Sequence, residues 1–124
     1  MKIRAIDFVG IPVTDIARAR KFYEETLGLR ESATYVDGKW VEYNIGSGTL
    51  AITNVSPDWR PSEQGAAAAL EVEDFDAAIK ELKGRQIRFA VEPFETPGCF
   101  NAVVHDPDGN KLMIHKIKPE RENQ

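Results

Sequence analysis

The sequence predicts an α+β protein of two tandem βαβββ modules that form one cupped, mostly antiparallel sheet with the helices on its convex face. Residues 9–23 align with residues 68–82, because each segment is an alternating apolar strand that ends in an Asp and continues as a helix. The matched pairs are Val13 with Val72, Asp15 with Asp74, Ile16 with Phe75, and Ala19 with Ala78. Turn sequences at corresponding places then break each half into further strands.

Both helices carry start and stop signals. Asp15 and Asp74 are predicted N-caps, since a carboxylate there accepts the unpaired N–H groups of the first turn and faces the positive end of the helix dipole. Gly28 and Gly84 stand where a left-handed residue would end each helix. Apolar side chains recur between these signals at helical spacing: Ile16, Ala19, Tyr23 and Leu27 in the first helix, and Phe75, Ala78, Ile79 and Leu82 in the second.

Each half continues as three strands joined by tight turns. Asp37-Gly38 predicts a hairpin, Gly46-Ser47-Gly48 a second turn, and Asp106-Pro107-Asp108-Gly109 a turn before the last strand. The predicted strands are Ala33–Val36, Lys39–Ile45 and Thr49–Asn54 in the first half, and Ile87–Val91, Asn101–His105 and Lys111–Lys116 in the second.

The predicted organisation is a single domain, residues 1–124. Its parts are a first module (6–54), a linker (55–65), a second module (66–116) and a charged tail (117–124) that frays. The linker contains Pro57, Pro61 and Gly65, which interrupt regular structure. Neither half can bury its sheet alone, so we expect the halves to pack together or to pair with a second chain.

Composition excludes several classes of partner. The formal net charge is −4 and no basic stripe runs along the chain, which argues against nucleic-acid binding. Charged residues interrupt the N-terminal segment, so the sequence predicts no apolar signal segment there, and no apolar run reaches the length of a membrane span. Cys99 is the only cysteine, so an intramolecular disulfide is excluded and we expect a cytoplasmic protein.

Several motifs together resemble those of the vicinal oxygen chelate superfamily, which includes glyoxalase I, extradiol dioxygenases and bleomycin-resistance proteins. They are Val-x-Asp before each helix, Phe22-Tyr23, Leu27-Gly28, and Asp106-Pro107-Asp108-Gly109-Asn110. The resemblance extends from Ile6 to Lys116. It implies the two-module fold and a homodimer, whereas the reaction is not implied, because one scaffold hosts many functions.

The enzymes of this superfamily hold a divalent metal with His, Gln and Glu side chains that line the cup. The matching positions here are Phe8, Ala51, Ala67 and Met113. None of these side chains offers the nitrogen or oxygen donor that such a cation needs. The resemblance therefore implies no metal and no cofactor, and it favours the metal-free bleomycin-resistance proteins, which bind a small organic molecule.

Strand alternation predicts which side chains face the cup and which face the helices. The apolar positions Val41, Tyr43, Ile45, Leu112 and Ile114 should face the helices. The candidate ligand-binding residues are Phe8, Trp40, Glu42, Asn44, Ala51, Ala67, Met113 and His115, and Glu71 shares their face.

The main hypothesis is metal-free binding of a small organic ligand, which the acidic groups in the cup allow to be cationic. The alternative is a lyase or dioxygenase-type enzyme that uses a displaced metal or an acid–base pair of Glu42 and His115, although both residues also fit ordinary solvated strand positions. A third is a degenerate copy with a structural or partner-binding role. Trp59 fits either an aromatic lid or a packed loop, and Cys99 lacks a basic neighbour in sequence that would make it reactive.

Overall fold

The computed structural model describes residues 1–119. The chain forms two compact units, the first spanning Met1–Pro61 and the second beginning at Ser62, and each contains one four-stranded sheet. The boundary falls inside the segment 55–65, which the sequence predicts to be a linker. No helix within residues 1–119 has the length and the apolar character needed to cross a membrane.

The first unit is a βαβββ module. Its elements are β1 (Val9–Pro12), α1 (Ile16–Arg20), a π-helical segment (Lys21–Thr26), β2 (Glu31–Tyr35), β3 (Trp40–Ile45) and β4 (Gly48–Thr53). The strand order is β1-β4-β3-β2, in which β1 and β4 are parallel and the other pairs are antiparallel.

The second unit repeats this topology. Its elements are β5 (Ala68–Glu71), α2 (Phe75–Gly84), β6 (Phe89–Glu95), β7 (Cys99–His105) and β8 (Lys111–Ile117). The strand order is β5-β8-β7-β6, again with one parallel pair between the first and last strands. The tandem βαβββ fold is confirmed.

The predicted N-caps are confirmed. Asp15 Oδ1 accepts a hydrogen bond from the Arg18 N–H at 3.0 Å, and Asp74 Oδ1 accepts one from the Ala77 N–H at 3.0 Å. Gly28 has the expected left-handed conformation, with φ +74°. The same expectation for Gly84 is wrong, because Gly84 is the last residue of α2 and the left-handed residue after that helix is Gln86, with φ 60°.

The first helix is not regular to its end. After Arg20 it continues as the π-helical segment Lys21–Thr26, and the Leu27 N–H donates to the Phe22 carbonyl at 2.9 Å. The wider turn accompanies the burial of two consecutive aromatic side chains, Phe22 and Tyr23, whose rings meet edge to face at 5.1 Å. Apolar spacing alone does not reveal such a segment.

Strand alternation correctly predicts most of the core. In β3, Val41 and Tyr43 are fully buried, and in β8, Leu112 and Ile114 are buried. Ile45 is the exception, since it lies at the end of β3 and is 36% exposed.

The ends of the last strands differ from the prediction. The segment predicted to begin at Ile87 forms a strand only from Phe89, and this strand continues to Glu95. Ile117, which was assigned to the tail, is the last residue of β8, and the Lys118 N–H donates to the Gly98 carbonyl at 2.9 Å. The rest of the predicted tail from residue 120 lies outside the described residues.

Candidate functional site

The strand pairing of the first unit brings several of the candidate residues onto one face of its sheet. Ala51 in β4 is opposite Gly10 in β1 on one side and opposite Glu42 in β3 on the other. Because residues opposite each other in a sheet share a face, these positions form a row across the sheet, away from the buried Val41 and Tyr43. We call this the open face of the first sheet.

Three aromatic side chains, Phe8, Trp40 and Trp59, form a contiguous group on this face, here called the aromatic cluster. Phe8, one residue before β1, meets Trp40 edge to face with ring centroids 5.4 Å apart. Trp59 also packs against Trp40, with ring centroids 6.4 Å apart and the rings tilted by 47°. Phe8 is 43% and Trp59 is 41% exposed, so the cluster presents large aromatic surface to solvent.

Trp59 reaches the sheet because position 10 is a glycine. A Cβ built on Gly10 would lie 2.5 Å from Trp59 Cη2 and 3.7 Å from Phe8 Cε2. The indole therefore lies directly on the backbone of β1, where any side chain would displace it. Ala51 in the neighbouring strand has no exposed surface, so a ligand would reach it only if the overlying side chains moved.

A carboxylate is held beside the aromatic cluster. The Trp40 indole N–H donates to Glu42 Oε2 at 2.8 Å, which orients both side chains. Asn44, further along β3, is exposed, and its Oδ1 accepts a hydrogen bond from the Thr49 hydroxyl at 3.0 Å. The first unit thus combines aromatic surface, one oriented carboxylate and one amide.

The remaining candidates lie in the second unit, on the face of its sheet that points away from the buried Leu112 and Ile114. His115 in β8 is opposite Glu71 in β5, and the two side chains join at 2.5 Å between Nδ1 and Oε1. Met113 is half-buried two residues earlier in β8, while Ala67 is exposed and precedes β5 by one residue. The sequence places these residues on a common face but does not identify the His115–Glu71 pair.

The two partners shift each other's pKa in opposite directions. The hydrogen bond that His115 makes to the Glu71 carboxylate raises the pKa of His115 above its usual value of 6.5; partial burial opposes this rise, and a hydrogen bond between His115 and the Cys99 sulfur adds to it. For Glu71, partial burial raises the pKa, but the Ile117 N–H and His115 outweigh it and hold the pKa below 4.5. The pair is therefore most strongly charged in mildly acidic to neutral solution.

Cys99 is the residue whose surroundings the sequence reasoning missed. It is buried at the start of β7, opposite Ile117 of β8, and a hydrogen bond between its side chain and His115 contributes to the raised pKa of His115. The basic neighbour that is lacking in sequence is thus supplied by strand pairing. The available signal was the hairpin register, because pairing β7 with β8 about the turn at 106–109 puts Cys99 diagonal to His115.

Within residues 1–119, no group of three or more His, Cys, Asp and Glu side chains is arranged to hold a metal ion. At the four positions that the resemblance predicts to match metal ligands, the side chains are Phe8, Ala51, Ala67 and Met113. Their atoms are hydrocarbon or thioether, which a hard divalent cation does not bind.

Comparison with known proteins establishes the family. Residues 5–114 match the sequence model of the Glyoxalase/Bleomycin resistance protein/Dioxygenase superfamily. The chain belongs to this superfamily. No curated protein matches it closely enough to narrow the family further.

Three solved structures illustrate the likeness. TnmS3, an antibiotic binding protein from Streptomyces sp. CB03234, is 27% identical with a TM-score of 0.77, over 95% of this chain and 99% of that chain. A glyoxalase/bleomycin resistance protein from the same organism is 28% identical with a TM-score of 0.72, over 89% and 98%. A putative glyoxalase family protein from Bacillus anthracis is 25% identical with a TM-score of 0.79, over 95% and 98%.

Proposed function

We propose that this protein binds a small organic molecule without a metal, and that the aromatic cluster of the first unit is the surface on which the molecule stacks. The observation that carries the proposal is the group formed by Phe8, Trp40 and Trp59 on the open face of the first sheet. Exposing a large aromatic surface to water is unfavourable in free energy, and a flat ligand that covers the surface is stabilised by removing it from water.

The rigidity of the cluster supports a binding role. The Trp40 indole is fixed by its hydrogen bond to Glu42, and Trp59 is fixed by its contact with the backbone at Gly10. Side chains that are already ordered lose little conformational entropy when a ligand arrives, so more of the contact energy appears as affinity. A flexible aromatic loop would offer the same area with weaker binding.

Charge favours a ligand with a positive group. Glu42 presents its carboxylate at the edge of the cluster, and the faces of the aromatic rings attract cations through their quadrupoles. Both effects act in the same direction, and the other candidate polar group near them, the Asn44 amide, is neutral. We therefore infer a planar, aromatic, cationic ligand class.

One related structure supports a binding role. It is named as an antibiotic binding protein, and it is similar over nearly the whole of both chains. The residues at the corresponding metal positions, Phe8, Ala51, Ala67 and Met113, lack suitable donor atoms, so binding through ring surfaces needs no metal. We also propose a homodimer, as the resemblance implies, in the cytoplasm, as the sequence predicts, and light scattering of the purified protein tests the dimer.

Isothermal titration with proflavine, a planar aromatic cation, in buffer with EDTA tests the function. We expect binding that persists with EDTA and that is weakened by at least about fivefold in Trp40→Ala and Trp59→Ala, because each removes stacking worth about 1 kcal/mol or more. Naphthalene-2-sulfonate, which is planar but anionic, should bind more weakly, and Glu42→Gln should reduce the difference between the two probes.

The matched control is Phe89→Ala. Phe89 is an aromatic residue that packs under Lys83 of α2 in the second unit, so its loss should leave proflavine binding unchanged. Binding that needs a divalent metal, or that is equal in the tryptophan variants and the native protein, would contradict the proposal.

A further inference from the structure

A cysteine, a histidine and a glutamate lie in series on three neighbouring strands of the second unit. Glu71 in β5 is opposite His115 in β8, and Cys99 in β7 is opposite Ile117, two residues after His115. Because alternate residues of a strand share a face, all three side chains point to the same side of the sheet. Long-range strand pairing, not sequence proximity, brings them together.

The contacts between them form a relay. Strand register places Cys99 diagonal to His115, and a hydrogen bond between the two side chains is one cause of the raised pKa of His115. His115 Nδ1 is 2.5 Å from Glu71 Oε1. The second oxygen of Glu71 accepts the Ile117 backbone N–H at 2.9 Å, which fixes the carboxylate. A buried cysteine in apolar surroundings is inert, but a cysteine next to an imidazolium is held as the nucleophilic thiolate.

We propose that Cys99 is a nucleophile that adds covalently to an uncharged soft electrophile of the α,β-unsaturated carbonyl class, with His115 carrying the proton and Glu71 acting as a positioning residue. The thiol proton moves to His115, and the sulfur then forms a bond to the β-carbon of the electrophile. The π electrons of the carbon–carbon double bond move toward the α-carbon, which takes the proton back from His115. The product is a thioether adduct, and no group is oxidised or reduced.

The surroundings of the thiol set the class of electrophile. The neighbouring positions on this face are Ile117, which is opposite Cys99, the buried Asn101, which follows Cys99 by two residues, and the exposed Phe94 of the adjacent β6, which is opposite Asn101. A thiolate is a soft nucleophile, and apolar neighbours disfavour a charged partner. Cys99 is 8% exposed, so the electrophile must also be small.

The charged groups that act on the relay are Glu71 from β5 and His115 and Lys116 from β8. Glu95 at the end of β6 is opposite Phe100, on the other face of the sheet, and pairs with Lys118. The raised pKa of His115 keeps more of it as imidazolium near neutral pH, which favours the thiolate. This proposal does not depend on the aromatic cluster of the first unit.

The test is the rate at which N-ethylmaleimide modifies the native full chain between pH 5 and pH 9. Cys99 is the only cysteine, so intact mass reports its modification directly. At pH 6 we expect the native protein to react at least about tenfold faster than His115→Gln, because one unit in the pKa of a thiol changes its thiolate fraction tenfold. Glu71→Gln should react at an intermediate rate. In a plot of its modification rate against pH, the alkaline limb should lie at lower pH than that of the native protein.

The control is His105→Gln, since His105 binds the Gly109 carbonyl in the turn and is not part of the relay. It should react like the native protein, and circular dichroism confirms that each variant is folded. Equal rates for the native protein and His115→Gln at pH 6 overturn the proposal. A native rate at pH 6 that is no faster than the rate of the urea-unfolded chain overturns it as well.

Discussion

Gly10 and Trp59 are in direct contact, and the indole occupies the space that a side chain at position 10 would need. A Cβ on Gly10 would lie 2.5 Å from Trp59 Cη2 and 3.0 Å from Trp59 Cζ2, closer than carbon atoms approach without a bond. The missing side chain in β1 therefore decides where the aromatic residue of the 55–61 segment lies. The aromatic cluster depends on this contact.

Gly10→Ala should displace the Trp59 indole and expose it further. Gly10 is not in the left-handed region, so the contact with Trp59 and not backbone strain sets the effect, which we expect to be a loss of about 1 to 2 kcal/mol in the free energy of unfolding. Tryptophan emission should shift to longer wavelength. Gly48→Ala is the control, since the nearest atom to its added Cβ is the Ile45 carbonyl oxygen at 3.7 Å. An unchanged emission spectrum in Gly10→Ala would contradict the prediction that the indole becomes more exposed.

Tyr43→Phe should destabilise the first unit. The Tyr43 side chain is fully buried, and its hydroxyl donates to Glu24 Oε2 at 2.8 Å. Burial and this hydrogen bond raise the pKa of the phenol well above its usual value, so the group stays a donor. Loss of a hydrogen bond to a charged acceptor should cost about 1 to 2 kcal/mol in urea unfolding. Tyr35→Phe, at a 56% exposed position, should be neutral, and equal stabilities for the two variants would refute the prediction.

Asp106→Ala should disrupt the turn between β7 and β8. Asp106 is 4% exposed, and its Oδ1 accepts the backbone N–H groups of Asp108 and Asn110, each at 2.9 Å. The Asn110 side-chain amide donates to Oδ2 at 2.9 Å. Since several donors lose their acceptor together, we expect a loss of about 3 kcal/mol in the free energy of unfolding. Asp58→Ala, in an exposed loop, is the control, and a loss below about 1 kcal/mol at position 106 would mean that water replaces the carboxylate.

The His115–Glu71 pair should make stability depend on pH within a defined window. The raised pKa of His115 contributes stability that is complete below about pH 6.5 and is lost as pH rises through the folded-state pKa. The lowered pKa of Glu71 contributes stability that is complete above about pH 4.5 and is lost as pH falls through its folded-state pKa. The pair therefore stabilises most between these values.

Urea unfolding of native protein and Glu71→Gln across this range measures the effect. The Glu71 side chain is 48% exposed, so solvent screening should keep the difference below about 1 kcal/mol. The difference should decrease toward pH 9, where only the part that depends on the Ile117 hydrogen bond remains. A difference that grows toward alkaline pH would reverse the sign and exclude the pair as its source. His105→Gln provides a histidine variant outside the pair.

Local features of the sequence were sufficient for most of the fold. The caps at Asp15 and Asp74, the turn glycines and the strand alternation are set by interactions over a few residues, and the structure confirms them. The errors occur where local signals are weak. Gly84 lies within α2, and the π-helical segment at Lys21–Thr26 depends on how two aromatic side chains pack.

The candidate site was predictable only in part. Alternation placed Trp40 and Glu42 on one face, because that face is fixed by the burial of their neighbours Val41 and Tyr43. The same reasoning left the position of Trp59 open and gave no reactive role to Cys99. The position of Trp59 and the contact between Cys99 and His115 depend on how distant parts of the chain pack side by side. The residues next to them in sequence do not determine this packing.

The sequence by itself determined the repeated βαβββ topology, since hydrophobic periodicity, capping and turn chemistry act within single elements. Only the tertiary structure decided that Trp59 rests on Gly10 and that Cys99, His115 and Glu71 meet across three strands. The physical reason is that these contacts join residues distant in the chain. They form only when strand register and close packing bring those residues together.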